Sequence, residues 1–182
     1  PFDKIIVTCS PEAVPVPLKE QLREGGVMII PVGERYQQTL YLMTKKDGEL
    51  VRQPLRPTLF VPMTGEAEEK RELQPDASNP TVVNGDFEIA ASGDQADLKD
   101  FVPGWYYGRQ VQRVADEGAA VQGAAFVRFT NETPGLGSHL LQGFPIDGRE
   151  VSTIRLSGKA RTGELRRGPD ANAMPMLVLS LY

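Results

Sequence analysis

Residues 2–33 read FDKIIVTCSPEAVPVPLKEQLREGGVMIIPVG, and this stretch decides the fold class. Residues 2–8 form a short, mostly apolar run with β-branched members, the pattern of a strand buried on both faces of a parallel sheet. Pro15 and Pro17 bracket a helix start, where a missing N–H and a fixed φ cost least. Leu18 and Leu22 lie four apart on one helical face. Gly25 and Gly26 supply a helix stop, and residues 27–30, VMII, begin the next strand. The unit reads as βαβ with parallel strands.

Working outward, residues 39–44, TLYLMT, and residues 49–55 are rich in strand formers and flank Asp47-Gly48. Asp-Gly between two such runs predicts a hairpin, because both central turn positions want positive φ. Pro54 makes the return strand short or peripheral. Residues 59–63, LFVPM, are one more short strand candidate. Residues 66–72, EAEEKRE, read as a solvated charge run with one or two helical turns, and residues 74–80 have linker composition. The expected division is 1–65, a 66–80 linker, and 81–182.

From Thr81 onward the pattern changes to short apolar segments between Gly/Pro turns: 82–87, 105–114, 124–129, 139–144, 151–160 and 174–181. Such spacing predicts an all-β sandwich or jelly roll. About six strands are counted where a jelly roll uses eight. Pro1 stands directly before a core strand and a strand runs off at Tyr182, so the chain is expected to be a fragment cut at both ends.

Bulk properties narrow the function classes. The 182 residues carry a net charge of -4, which disfavours a nucleic-acid or anionic-membrane partner. No apolar run reaches the roughly 20 residues of a membrane helix. Cys9 is the single cysteine, so no intrachain disulfide forms, and a cytoplasmic setting is expected.

Four ordered blocks carry a family resemblance: FDxIIVT at 2–8, QLxxGG at 21–26, IPVG at 30–33 and FVPMTG at 60–65. Together they resemble the C-terminal part of protein L-isoaspartyl O-methyltransferases. The resemblance implies a Rossmann-like methyltransferase sheet, S-adenosylmethionine as cofactor, and damaged proteins or peptides carrying isoaspartyl residues as substrates. It implies that the Val61 backbone borders the isoaspartyl peptide. Thr8, at the C-terminal end of a parallel strand, faces the crevice where open α/β sheets place ligands. In the family the cofactor-binding glycine-rich turn and the catalytic-cleft serine precede the matched blocks, so catalytic residues are expected upstream of Pro1 and no cofactor site is expected here.

The second half resembles carbohydrate-binding-module-like jelly rolls through NGDFE at 84–88, PGW at 103–105 and LSGKA at 156–160. That resemblance implies a glycan or protein ligand, with Trp105 and Tyr107 as sugar-stacking candidates beside Tyr106; core packing is the competing role for Trp105. Asp86 and Glu88 alternate on one strand face, but two carboxylates fall far short of a calcium shell. Cys9 reads as a buried small hydrophobe. His139 beside Ser138 lacks a nucleophile elbow, Gly135 and Gly137 read as a turn, and the sequon at Asn131 is discounted. Two functions stand side by side: part of an isoaspartyl methyltransferase with an appended β-domain, or a non-catalytic binding module tethered to a degenerate methyltransferase remnant.

Overall fold

The computed structural model describes residues 1–182 except 36, 73–75, 134, 167, 171–172 and 182, and for 67 and 68 only the backbone. Residues 74–75 of the expected linker, Pro134 of the expected Pro-Gly turn, and Tyr182 therefore lie outside the described residues.

The first half is a four-stranded sheet in the order β1-β2-β3-β4, built from β1 (Phe2–Ile6), β2 (Leu22–Glu34), β3 (Gln37–Lys46) and β4 (Glu49–Thr58). β1 and β2 are parallel and joined through helix α1 (Val16–Gln21), so the βαβ expectation holds. β2, β3 and β4 then run antiparallel. The Asp47-Gly48 turn forms as expected, with φ of 52° and 76°, and the Glu24 carboxylate accepts from both turn amides. β4 carries Pro54 and Pro57 along the sheet edge, where a missing donor costs no ladder bond.

The helix does not stop at Gly25 and Gly26. It ends at Gln21, and Leu22 is already extended at φ -77°, ψ 127°. Two forces replace the glycine stop. Lys45 Nζ donates to the carbonyls of Lys19 and Leu22 at 2.8 Å each, satisfying groups that a helix end leaves open. Leu22 is fully buried, which draws the chain into the sheet. Gly26 instead permits close approach: a Cβ there would stand 3.1 Å from the Asp3 carbonyl and 2.8 Å from that of Arg23. β2 grows to 13 residues, longer than the expected strand, because its first part pairs with β1 and its second with β3.

The core lies on one face of this sheet. Leu22, Met28, Ile30, Tyr41 and Met43 are buried together, with Ile5, Val7, Val14, Leu18, Val32 and Leu50 packed around them. Alternation along β2 and β3 places these side chains on one side. Phe2 and Ile6 on β1 stay exposed, Ile6 at 76%.

The charge run forms one helical turn, α2 (Glu66–Glu69), but is not wholly a solvated face. Arg71 is 5% exposed. The expected strand at 59–63 is reduced to one parallel bridge between Ser10 and Pro62.

The second half departs further from the jelly-roll expectation. Its described strands are β5 (Tyr106–Arg109), β6 (Val111–Ala115), β7 (Ala125–Phe129) and β8 (His139–Leu141), arranged as two ribbons, β5-β8 and β6-β7. The expected strand at 105–114 is split at Gln110, whose φ is +50°. Residues 82–87 are a turn instead of a strand, because the Asn84 side chain takes over the ladder's role. It accepts from the Ile89 N–H at 3.0 Å and donates to the Pro103 carbonyl at 2.7 Å. Residues 151–160 and 174–181 are in no strand. Met176, Leu177 and Val178 are each at least 60% exposed, so the apolar run at 174–181 has no core to face.

The two halves touch through specific polar contacts. Gln95, in a single 3-10 turn, donates to Thr39 Oγ1 at 2.7 Å, and Asp94 pairs with Arg52 at 2.8 Å. The Asp147 N–H donates to the Ala77 carbonyl at 2.7 Å. No helix among the described residues is long and apolar enough to cross a membrane.

The core assignment predicts a contrast between two isoleucines. Ile30→Ala should lose about 2–5 kcal/mol of unfolding free energy in urea. Ile6→Ala, at an exposed position, should stay within about 0.5 kcal/mol of the parent.

Candidate functional site

β1 ends at Ile6, and its last parallel bond runs from the Val7 N–H to the Ile29 carbonyl at 2.9 Å. Thr8 follows at the C-terminal end of the strand and is exposed. Two residues on, the chain meets the 59–63 segment. The Ser10 N–H donates to the Val61 carbonyl at 2.8 Å, and the Met63 N–H donates to the Ser10 carbonyl at 3.0 Å. Val61 is thereby bonded to Ser10, two residues after Thr8. The Val61 side chain stands 69% exposed there.

Three side chains hold this edge: Tyr107, expected above as a sugar-stacking candidate, and Gln38 and Arg71, which no motif marks. Gln38 is 3% exposed. Its amide oxygen accepts from the Phe60 N–H at 2.6 Å, and its nitrogen donates to the Phe60 carbonyl at 3.0 Å. One side chain thus supplies what a neighbouring strand would supply. Arg71 donates to the carbonyls of Ser10 and Gly33, both at 3.1 Å. The Gly33 N–H in turn donates to the Pro11 carbonyl at 3.1 Å. The guanidinium thereby ties the loop after β1 to the end of β2. Tyr107, from the second half, donates its hydroxyl to the Leu59 carbonyl at 3.1 Å. No spacing rule marks Gln38 or Arg71; each is one polar residue among several, and only burial distinguishes it.

Glu34 adds the electrostatics. Partial burial pushes its pKa above 4.5, the neighbouring Glu12 carboxylate pushes the same way, and Arg71 opposes both. Because the folded state raises this pKa, the carboxyl's contribution is fully present below the unfolded value and is lost as pH rises through the folded one.

The remaining candidates are used structurally. Trp105 is half-buried; its indole N–H donates to the Asn84 carbonyl at 3.1 Å, and its ring lies 5.6 Å from that of Phe87. Tyr106 is 8% exposed and meets Tyr107 edge to face at 5.4 Å. Tyr107 keeps 37% of its surface exposed. Glu88 accepts from the Ala124 and Ala125 amides at 2.7 and 3.1 Å, so its carboxylate closes a turn. Arg113 occupies the Phe87 and Glu88 carbonyls at 2.6 and 3.0 Å, setting a cation where calcium would need free oxygens. No group of three or more possible metal ligands occurs among the described residues. Cys9 is a free, half-buried thiol. His139 pairs across the ribbon with Arg109, and burial together with that guanidinium lowers its pKa below 6.5. Ser138 accepts from Gln110 at 3.4 Å.

Residues 1–68 match the family Protein-L-isoaspartate(D-aspartate) O-methyltransferase (PCMT). A relative from Hyperthermus butylicus, named Protein-L-isoaspartate O-methyltransferase, is 49% identical over 67 residues, covering 36% of this chain and 28% of its own. One of the same name from Dictyoglomus turgidum is 53% identical over 66 residues, covering 36% of this chain and 30% of its own. The chain thus spans under a third of the length of these curated relatives. Among solved structures, a putative protein-L-isoaspartate O-methyltransferase from Plasmodium falciparum, in complex with S-adenosyl-L-homocysteine, is 40% identical. It covers 35% of this chain and 28% of its own, with a TM-score of 0.32.

The described residues do not fit the cofactor that the resemblance implies. An adenosyl cofactor takes a glycine-rich turn leading into a helix. Here α1 has Pro15 as its N-cap and is six residues long. Gly135, at φ +76°, lies in a loop that leads to the strand β8. What this chain supplies is a held backbone edge with an exposed apolar side chain.

Glu34 yields a pH prediction. The unfolding free energy of the wild-type chain should fall as pH rises above 4.5 through the raised folded value. Glu34→Gln should flatten that slope, as measured by urea unfolding between pH 4 and 7.

Proposed function

We propose that residues 1–68 form the substrate edge of a protein-L-isoaspartate O-methyltransferase. Such an enzyme transfers a methyl group from S-adenosylmethionine to an isoaspartyl carboxyl and so begins repair of damaged protein. The observation that carries the reading is the Ser10–Val61 junction. It bonds the exposed Val61 to Ser10, two residues after Thr8, within the part of the chain that matches the family. An isoaspartyl peptide would lie along this edge with its carboxyl towards the crevice at the strand ends. Methyl transfer to a carboxylate needs little acid–base chemistry, and alignment supplies much of the rate. A backbone edge fixed on both sides suits that demand. The compartment is read as cytoplasmic.

Within this reading, 1–65 is the methyltransferase part, 66–80 the connection and 81–182 an appended β-sandwich of the carbohydrate-binding-module kind. The packing of Trp105 on Phe87 supports that second assignment. A glycan or protein ligand there would find its stacking surface on Tyr107, since the Trp105 ring is already packed; the binding-module alternative rests on the same exposed ring.

Titration of the 15N-labelled chain with a short isoaspartyl peptide tests the main reading. Amide shifts should concentrate at Val61 and Thr8, with a weaker response to the aspartyl isomer. Equal responses to both isomers, or none, would overturn it. Calorimetry with S-adenosylmethionine should show no tight binding to this chain, and a sub-micromolar Kd would contradict the poor cofactor fit.

A further inference from the structure

Tyr107 combines three features that ordinary packing does not require together. Its φ is +50°, a region that bulky L residues rarely adopt. It sits where the β5-β8 register shifts between Tyr106 and Arg109, and such irregularities re-aim side chains. Its hydroxyl is spent on the Leu59 carbonyl, 48 residues away in the chain. The neighbouring residues hold it in this posture. Tyr106 is buried beneath it with the rings edge to face. Gly108 has no room for a side chain, because a Cβ would stand 2.0 Å from the Asp100 carbonyl.

The carbonyl that Tyr107 grips begins the segment carrying Val61. Along that segment Leu59 is held by Tyr107, Phe60 by Gln38, and Val61 and Met63 by Ser10. Two of these anchors, Gln38 and Ser10, fall within the family-matching residues 1–68, and Tyr107 does not. The contacts of Gln95 with Thr39 and of Asp94 with Arg52 fix the second half against β3 and β4, so the tyrosine reaches from a seated base.

We propose that Tyr107 is a positioning residue for the Val61 edge, through which the second half sets how well that edge discriminates its peptide. Tyr107 acts through the Leu59 carbonyl and does not touch the reacting carboxyl. The inference rests on the substrate-edge reading above. It goes further in giving the appended half a part in substrate selection.

Tyr107→Phe in the full chain removes the hydroxyl and keeps the ring. The first readout is amide hydrogen exchange at Ser10 and Met63, which should quicken about five- to tenfold, as for loss of one hydrogen bond. The second is the affinity ratio for an isoaspartyl peptide over its aspartyl isomer, which should fall by a similar factor. A Tm close to that of the parent would confirm that the fold is kept. Tyr107→Leu, which removes ring and hydroxyl, should lower the ratio at least as far. Unchanged exchange with wild-type discrimination intact would overturn the inference alone. Faster exchange with an unchanged ratio would reduce Tyr107 to a structural contact and also overturn it. A wild-type chain that binds neither peptide would overturn the substrate-edge reading, and the inference with it.

Discussion

The structure depends on β2 being paired along both edges. A strand of this length carries many donors and acceptors, and leaving them unpaired in a core is costly. β1 satisfies one edge from Lys4 to Ile6, and β3 satisfies the other from Gln37 to Thr44. This double pairing decides where α1 must end, since Leu22 already belongs to the sheet. It also decides where the loop after β1 emerges, because the last β1 bond falls at Val7. The candidate site is the overhang of that arrangement: the chain passes the end of the parallel pair, and Ser10 meets the next segment of backbone.

Where the sheet runs out, side chains substitute for strands. Gln38 satisfies both polar groups of Phe60, as a paired residue would, but from a single amide. Arg71 does the same for two carbonyls that belong to different elements. A planar guanidinium suits this, since its donors diverge in a fixed fork. The edge is therefore fixed by groups whose own orientation is locked by burial, which is the condition for holding a ligand in register.

Much of the first half was legible because its signals are local. Residues 2–8 announce a strand by composition, although β1 is an exposed edge strand and not one buried on both faces; Asp47-Gly48 announces its turn by backbone preference, and Pro15 marks a helix start. The helix stop was misread because the decisive group, Lys45, comes from a strand more than twenty residues away. Arg71 was hidden for a related reason. Within EAEEKRE every residue looks solvated, and only the fold carries Arg71 under Ser10. Val61 was proposed from a family block and Thr8 from its place at a strand end, whereas Gln38 has no local signature. In the second half, alternation alone suggested strands at 151–160 and 174–181. Alternation becomes a strand only where an apolar face finds a partner, and Leu177 and Val178 find none among the described residues.

The prolines of β4 have a meaning beyond their tolerance at an edge. Pro54 and Pro57 withhold N–H groups along one rim of the sheet, while β1 on the opposite rim keeps its donors and exposes Phe2 and Ile6. The two rims are therefore chemically unequal. Accretion of a further strand is blunted beside β4, where the rim lacks these donors.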